Sequence, residues 1–174
     1  MCVVTSFQPI ADRSAQVLIL GSMPGVLSLK ASQYYANPHN AFWPIMSNLY
    51  DFSLTSTYES RVQNLKESHI AVWDVLHSCV RAGSLDSAIV NGSRIANDFR
   101  SFFKFHPNIK LVAFNGTEAE KSFKTYVLRE LDLREVGMGD VNFVRLPSTS
   151  PAHTKSLEQK TEAWRKALIN PRPV

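Results

Sequence analysis

Four short runs of apolar residues punctuate the chain, each closing on a small, polar or turn-forming residue: Val17–Gly21 (VLILG), Ile70–Asp74 (IAVWD), Leu111–Asn115 (LVAFN) and Asn142–Leu146 (NFVRL). Their apolar positions follow one another instead of alternating, the pattern of strands covered on both faces of a parallel sheet. Between them, apolar residues recur at helical spacing. Phe42, Ile45, Met46 and Leu49 share one face, Ile95, Phe99, Phe102 and Phe103 a second, Phe123, Tyr126, Val127 and Leu131 a third, and Leu157, Thr161, Trp164 and Leu168 the last. Ser56 with Glu59, Thr117 with Glu120 and Ser156 with Gln159 have the capping-box spacing that predicts helix starts. Strands alternating with helices predict a three-layer α/β/α sandwich around a short, four-stranded parallel sheet. Ligands bind such sheets beyond the carboxyl ends of the strands, so chemistry is expected just after residues 21, 74, 115 and 146.

Length and composition narrow this to one unit. A chain of 174 residues, 44% hydrophobic, fills one core but not comfortably two, and no linker, repeat or low-complexity tract divides it. A single domain over residues 1–174, acting as a monomer, is expected, with Pro171 to Val174 as a frayed end. The 19 Lys and Arg against 15 Asp and Glu leave a net charge of +4, which suits an anionic partner such as nucleic acid, although many soluble proteins carry as much. Cys2 and Cys79 lie far apart without metal-ligand spacing, so no disulfide framework, metal or cofactor is expected. The apolar run Val17–Leu20 is far too short to span a membrane, and a reducing compartment, the cytoplasm or a nucleus, is the expected setting.

Three segments carry candidate chemistry. After the first run, Gly21, Ser22, Met23, Pro24 and Gly25 pair two glycines that permit close backbone approach with a proline that stiffens the turn; a plain strand-to-helix turn has the same composition. Residues 33–43 (QYYANPHNAFW) concentrate aromatic rings able to stack on a base and amides able to read its edge or position a water. Asn40 there is either chemical or the N-cap of the next helix, while Phe42 and Trp43 read as core. After the fourth run, Pro147 to Thr154 stack the hydroxyls of Ser148, Thr149 and Ser150 between two prolines, ahead of Ala152, His153 and a basic C-terminal helix. This is a phosphate-clamp composition that ordinary helix caps share.

Taken in order, GSMPG, SL, QYYANPHNAFW, AVWDVL and LPSTSPAH closely resemble the hypoxanthine-DNA glycosylase branch of the uracil-DNA glycosylase superfamily, with matching elements from about residue 17 to 168. The resemblance implies a monofunctional glycosylase that hydrolyses the N-glycosidic bond of deaminated bases in DNA, hypoxanthine before others. In that family the first motif supplies a carboxylate or amide that positions the attacking water, at the place Met23 occupies, and Met23 has no such capacity. The role passes to Asn40, in the PxNxFW segment. Tyr35 falls where relatives stack an aromatic ring on the flipped base, with Tyr34 one register step away. Asp74 falls where relatives read the base edge with an amide; ionised, a carboxylate only accepts, and hypoxanthine offers a donor at N1. Capping of the following turn is the other reading of Asp74.

The last motif departs most, with Ser148 where relatives have His or Asn and Ala152 where they have a Leu wedge. That shifts the loop towards phosphate clamping, with His153 either filling the vacated space, contacting phosphate or simply facing solvent. A glycosylase of the same fold directed at uracil or xanthine, and a non-catalytic nucleic-acid-binding module, stay open as alternatives.

Overall fold

The computed structural model describes residues 2–169. Seven strands, β1 (Cys2–Thr5), β2 (Val17–Gly21), β3 (Ile70–Asp74), β4 (Leu76–Arg81), β5 (Ile95–Ala96), β6 (Leu111–Asn115) and β7 (Asn142–Leu146), are interleaved with six helices. These are α1 (Val26–Ala31), α2 (Phe42–Tyr50), α3 (Tyr58–Glu67), α4 (Phe99–Phe105), α5 (Thr117–Tyr126) and α6 (Leu157–Leu168). The four apolar runs are the four strands of the main sheet, in the order β3-β2-β6-β7 and parallel throughout. The pairing is in step at the carboxyl ends, with Gly21 opposite Asp74 and Asn115 opposite Leu146.

Because side chains alternate across a sheet, this register sorts the two faces. Trp73 and Phe114 both flank Leu20 and point to one side, where Trp73 meets Phe99 and Phe102 of α4, and Phe114 meets Phe123 of α5. Gly21, Asp74 and Asn115 point to the other side. There Tyr35 stacks on Phe42 of α2, and Phe42 in turn meets Trp164 of α6 edge to face. Helices on both sides of the sheet make the sandwich that the sequence pattern predicts. Leu18, Ile19, Leu20, Val72, Ala113 and Phe114 are almost wholly buried between the layers.

The structure corrects four local expectations. Ile95 does not join the face of Phe99, Phe102 and Phe103; it lies in β5 and is exposed, because Asp98 caps α4 by accepting from the Ser101 N–H at 3.0 Å and so starts the helix later. Thr57, not Ser56, caps α3 and accepts from Ser60 N–H. Gly116, at φ 99°, precedes α5, so Thr117 is the first helical residue and not the cap. Leu131 is buried from a turn beyond α5, which ends at Tyr126. The Ser156–Gln159 box at the start of α6 forms in full, but Leu157 is exposed, leaving Trp164 as the buried anchor of that helix.

A three-stranded antiparallel sheet, β1-β4-β5, was not foreseen. It carries the chain away from the end of β3 and returns the segment after β4 to the end of the main sheet, where that segment matters below. Pro171 to Val174 lie outside the described residues.

Candidate active site

The carboxyl ends of β2, β3 and β6 and the loops that follow them enclose a pocket of about 320 Å³. Its floor holds Gly21, Asp74 and Asn115; its walls are Ser22 to Gly25, Tyr35 with Asn37 and Asn40, and Ser148 to Ala152. Ser84, Leu85 and Asp86, from the segment after β4, close the remaining side.

Gly21 is required by contact, not by backbone angle. A Cβ at Gly21 would sit 2.4 Å from Asp74 Oδ1 and 3.2 Å from the Tyr35 hydroxyl. Asp74 is buried, and among the described residues its Oδ2 has no hydrogen-bond partner and its carboxyl no ion pair. Burial first, and then the negative charge of Asp86, push Asp74 up to about 7, against a smaller opposing effect of Arg81. The capping reading of Asp74 therefore finds no support in its contacts: the adjacent Val75 and Leu76 N–H groups donate to the carbonyls of Gly21 and Ser22 instead.

Tyr35 adopts φ 54°, an uncommon left-handed conformation for an aromatic residue, of a kind that costs of order 1–3 kcal/mol and persists only where surroundings enforce it. Two contacts do so. Its ring stacks on Phe42 with centroids 3.9 Å apart, and its hydroxyl accepts from Asn115 Nδ2 at 3.1 Å. Tyr34 turns the other way: it is buried, its hydroxyl donates to the Gln8 carbonyl at 3.1 Å, and its own carbonyl accepts from the Trp43 indole. The structure thus places the Tyr35 ring at the pocket and sends the Tyr34 hydroxyl into the core.

Asn40 Oδ1 accepts from Phe42 N–H at 2.9 Å, which braces the start of α2 and fixes the orientation of the amide. A carbonyl oxygen has two lone pairs, so Oδ1 keeps one for a water in the pocket. Ala41, not Asn40, occupies the N-cap of α2, so the capping reading of Asn40 gives way to a bond from one residue further back that leaves the chemical reading open.

Among the first-loop residues, Met23 is buried and presents a thioether; Ser22 donates its hydroxyl proton to Asp86 Oδ1 at 2.8 Å. Pro24 offers its carbonyl to the Arg81 guanidinium, and the N–H after Gly25, that of Val26, donates to Ser84 Oγ at 2.8 Å.

In the last loop, Thr149 is wholly buried. Its N–H and hydroxyl are bound by Asn115 at 2.8 Å each, and its carbonyl accepts from Ala41 N–H. Ser148 and Ser150 line the pocket with hydroxyls that accept from the N–H groups two residues on. Gly116 fits closely beneath Ser148, where a Cβ would come within 3.0 Å. Ala152 and the exposed Leu85 both line the pocket, whereas His153 lies outside the lining with Nδ1 receiving the Lys155 N–H.

Sequence reasoning missed four residues that organise the site. Asn115 ties Tyr35 to Thr149, and its position at a strand end was the available signal. Arg81 at the end of β4 and Asp86 in the segment after it, 3.9 Å apart, brace the first loop, and nothing in the spacing of Arg81 or Asp86 relates either to Gly21–Gly25. Lys160 is buried behind the last loop with Nζ donating to the Ser150 carbonyl at 3.0 Å, held below the ordinary lysine value by burial. Among the described residues no cluster of His, Cys, Asp and Glu could hold a metal ion, and no helix is long and apolar enough to cross a membrane.

A conserved-domain model of the uracil DNA glycosylase superfamily matches residues 8–170, nearly the whole chain. The chain belongs to the uracil DNA glycosylase superfamily. Two curated relatives of this superfamily member, each named hypoxanthine DNA glycosylase, come from Methanosarcina barkeri and Methanosarcina acetivorans. The first is 33% identical over 163 residues, covering 93% of this chain and 96% of the relative. The second is 35% identical over 159 residues, covering 91% and 93%. Among solved structures, the solution NMR structure of a Methanosarcina acetivorans protein provisionally described as a uracil DNA glycosylase superposes with a TM-score of 0.75. It is 32% identical, over 96% of this chain and 99% of that one. The parallel sheet and its two helical layers are therefore the superfamily's fold.

Proposed function

We propose that this protein is a monofunctional DNA glycosylase that excises deaminated bases, hypoxanthine foremost, by hydrolysis of the N-glycosidic bond. One observation carries the reading: at the carboxyl ends of a superfamily-type sheet, one pocket brings together an aromatic ring, an oriented amide and an unpartnered buried carboxyl. Relatives at about a third identity, over nearly their full length, bear the name hypoxanthine DNA glycosylase.

A base inside a duplex must leave the stack to be reached, and a mispaired deaminated base costs least to extrude. The flipped base would lie on the ring face of Tyr35 that Phe42 leaves open, with its edge towards Asp74. Ser148, Ser150 and the backbone around Gly25 would receive the flanking phosphates, with the Lys160 cation behind the loop adding favourable field. As the bond from C1′ to the base nitrogen lengthens, its electron pair goes to the base and positive charge gathers on the sugar. A water held by Asn40 Oδ1 then forms the new C1′–O bond. One of its protons is released, the departing base takes up one, and the products are an abasic site and the free base. No lysine lines the pocket among the described residues, which supports hydrolysis without strand cleavage.

The test is a panel of duplexes carrying hypoxanthine, uracil or xanthine, assayed for abasic sites under single-turnover conditions. Fastest release is expected from the hypoxanthine duplex. Binding without release from any member would refute the enzyme and leave a non-catalytic DNA-binding module.

A further inference from the structure

Two carboxylates face one small pocket, and their surroundings differ. Asp86 accepts the Ser22 hydroxyl at 2.8 Å and has the Arg81 guanidinium 3.9 Å away. Asp74 has neither a hydrogen bond to Oδ2 nor a cation of its own, and it is the more deeply buried of the two. The neighbouring polar groups make no hydrogen bond to the Asp74 carboxyl. The Tyr35 hydroxyl accepts from the Asn115 amide, the Tyr34 hydroxyl donates to the Gln8 carbonyl, and the Asn97 amide donates to the backbone carbonyl of Asp74, not its carboxyl. Arg94 and Glu118 pair with each other at 3.4 Å beyond Asp86. A charge on Asp74 would thus be buried, unpaired and close to a second negative charge, the combination that favours the neutral form of an acid.

We propose, on the glycosylase reading above, that Asp74 reads the flipped base as a neutral carboxylic acid, and that Asp86 is the positioning residue that keeps it neutral. A protonated carboxyl carries one donor and one acceptor side by side. The N1–H and C6=O of hypoxanthine, the same pair in xanthine and the N3–H and C4=O of uracil present the complementary acceptor and donor, so two hydrogen bonds close a ring between acid and base. An ionised Asp74 keeps only the bond from N–H and sets a carboxylate oxygen against the base carbonyl. The ionised form instead suits guanine, whose N1–H and N2–H both donate. Neutrality therefore suits the lactam edge that deamination of adenine, cytosine or guanine leaves, an edge that guanine (N1–H, C6=O) and thymine (N3–H, C4=O) also present. Adenine can pair with the acid in reverse, so the exclusion of normal bases falls to the cost of extruding a correctly paired base. Burial and the Asp86 charge, which raise Asp74 to about 7, agree with this geometry.

The experiment is the pH profile of hypoxanthine excision at subsaturating protein, from pH 5.5 to 9.5, which reports ionisations of the free protein. For the unsubstituted protein the rate should fall above about pH 7, approaching about tenfold per pH unit as a single required proton is lost. Asp74→Ala should lower excision roughly 100-fold or more at every pH, because the base edge loses its partner. Asp74→Asn restores a permanent donor and acceptor. It should recover at least tenfold of that loss and should lack the limb near 7, keeping only the more alkaline limb of the lesion's own N–H. Asp86→Asn should move the limb to lower pH, since removing its charge lets Asp74 ionise more readily. A melting series gives a readout independent of turnover. An acid raised in the folded state stabilises fully below its unfolded value and loses that contribution as pH rises through about 7. Asp74→Asn should therefore melt increasingly above the unsubstituted protein as pH rises from about 4 to 7, with the difference levelling off beyond. Release of hypoxanthine with a flat profile across pH 6 to 9, or a limb near 7 that persists in Asp74→Asn, would overturn this proposal alone. Absence of release from every duplex by the unsubstituted protein would overturn the glycosylase reading and this proposal with it.

Discussion

Gly21→Ala tests the geometry of the pocket floor with one methyl group. The added Cβ would lie 2.4 Å from Asp74 Oδ1, and real Cβ contacts essentially never close below 3.0 Å, so the carboxyl or the strand must yield by about 0.6 Å. The Tyr35 hydroxyl, 3.2 Å from the same point and held by Asn115, crowds the added methyl as well. Forcing a methyl group into a packed site costs about 1–3 kcal/mol. At about 2–4 °C per kcal/mol for a chain of this size, the melting temperature should drop by roughly 2–12 °C. The effect on excision should be larger in proportion, because a misplacement of about 1 Å in a reacting geometry costs on the order of 100-fold. Single-turnover release of hypoxanthine should accordingly fall by about 10- to 100-fold, with duplex affinity changed far less. Gly139→Ala is the control: its nearest neighbour is Arg134 Cγ at 3.3 Å, on an exposed side chain, and Gly139 is not among the residues lining the pocket. Gly21→Ala turnover equal to that of Gly139→Ala would refute the claim that Asp74 and Tyr35 must hold these positions.

Three further substitutions separate the remaining roles. Asn40→Ala should abolish release of hypoxanthine while duplex binding survives; turnover retained in a single-turnover assay would remove Asn40 from the chemistry. Asn115→Ala leaves the buried Thr149 N–H without its acceptor and frees Tyr35, so it should cost about 1–3 kcal/mol in denaturant unfolding and slow excision as well. Ala152→Leu should tighten binding to a duplex carrying hypoxanthine, measured by fluorescence anisotropy, if the mouth lacks a wedge on that side; unchanged or weaker binding counts against that view.

The runs of β2, β3 and β6 were legible because burial on both faces leaves a sequence mark that few other structures share. By contrast, β7 is an edge strand of the sheet and, against the expectation of two covered faces, exposes Asn142, Phe143 and Arg145 and buries only Leu146. All four strands end where the runs end, and the prediction that chemistry follows Gly21, Asp74, Asn115 and Leu146 anticipates the pocket lining. The small sheet was not legible. Ile95 in a two-residue exposed strand carries no periodic signal, and its spacing from Phe99, Phe102 and Phe103 imitates a helix. Helix starts failed by one residue at Ser56 and Thr117 because neighbouring hydroxyls compete for one cap, and the backbone angle of Gly116 settled the second case. Within the site, the side chains on the loops were readable as types but their engagements were not. Nothing in the sequence says that the Ser22 proton goes to Asp86, or that the Thr149 hydroxyl serves Asn115, since those pairs are 64 and 34 residues apart.

The division of labour in this pocket follows from the sheet. Parallel pairing in register puts Gly21, Asp74 and Asn115 at one level and on one face, so the floor inherits the rigidity of β2, β3 and β6. Of the loop side chains, Met23 presents a thioether and Ser148 a hydroxyl that already accepts from the Ser150 N–H. Several polar functions lie on the floor or are tied to it, Asp74 directly, Tyr35 through Asn115 and the last loop through Thr149, while Asn40 is held apart from it at the start of α2 by the Phe42 N–H. The same burial that makes the floor rigid also disfavours charge on Asp74. On the proposal above, a pocket built this way gains positional precision and a neutral reader from one structural cause, and moving Asp74 to a solvated loop would lose both at once.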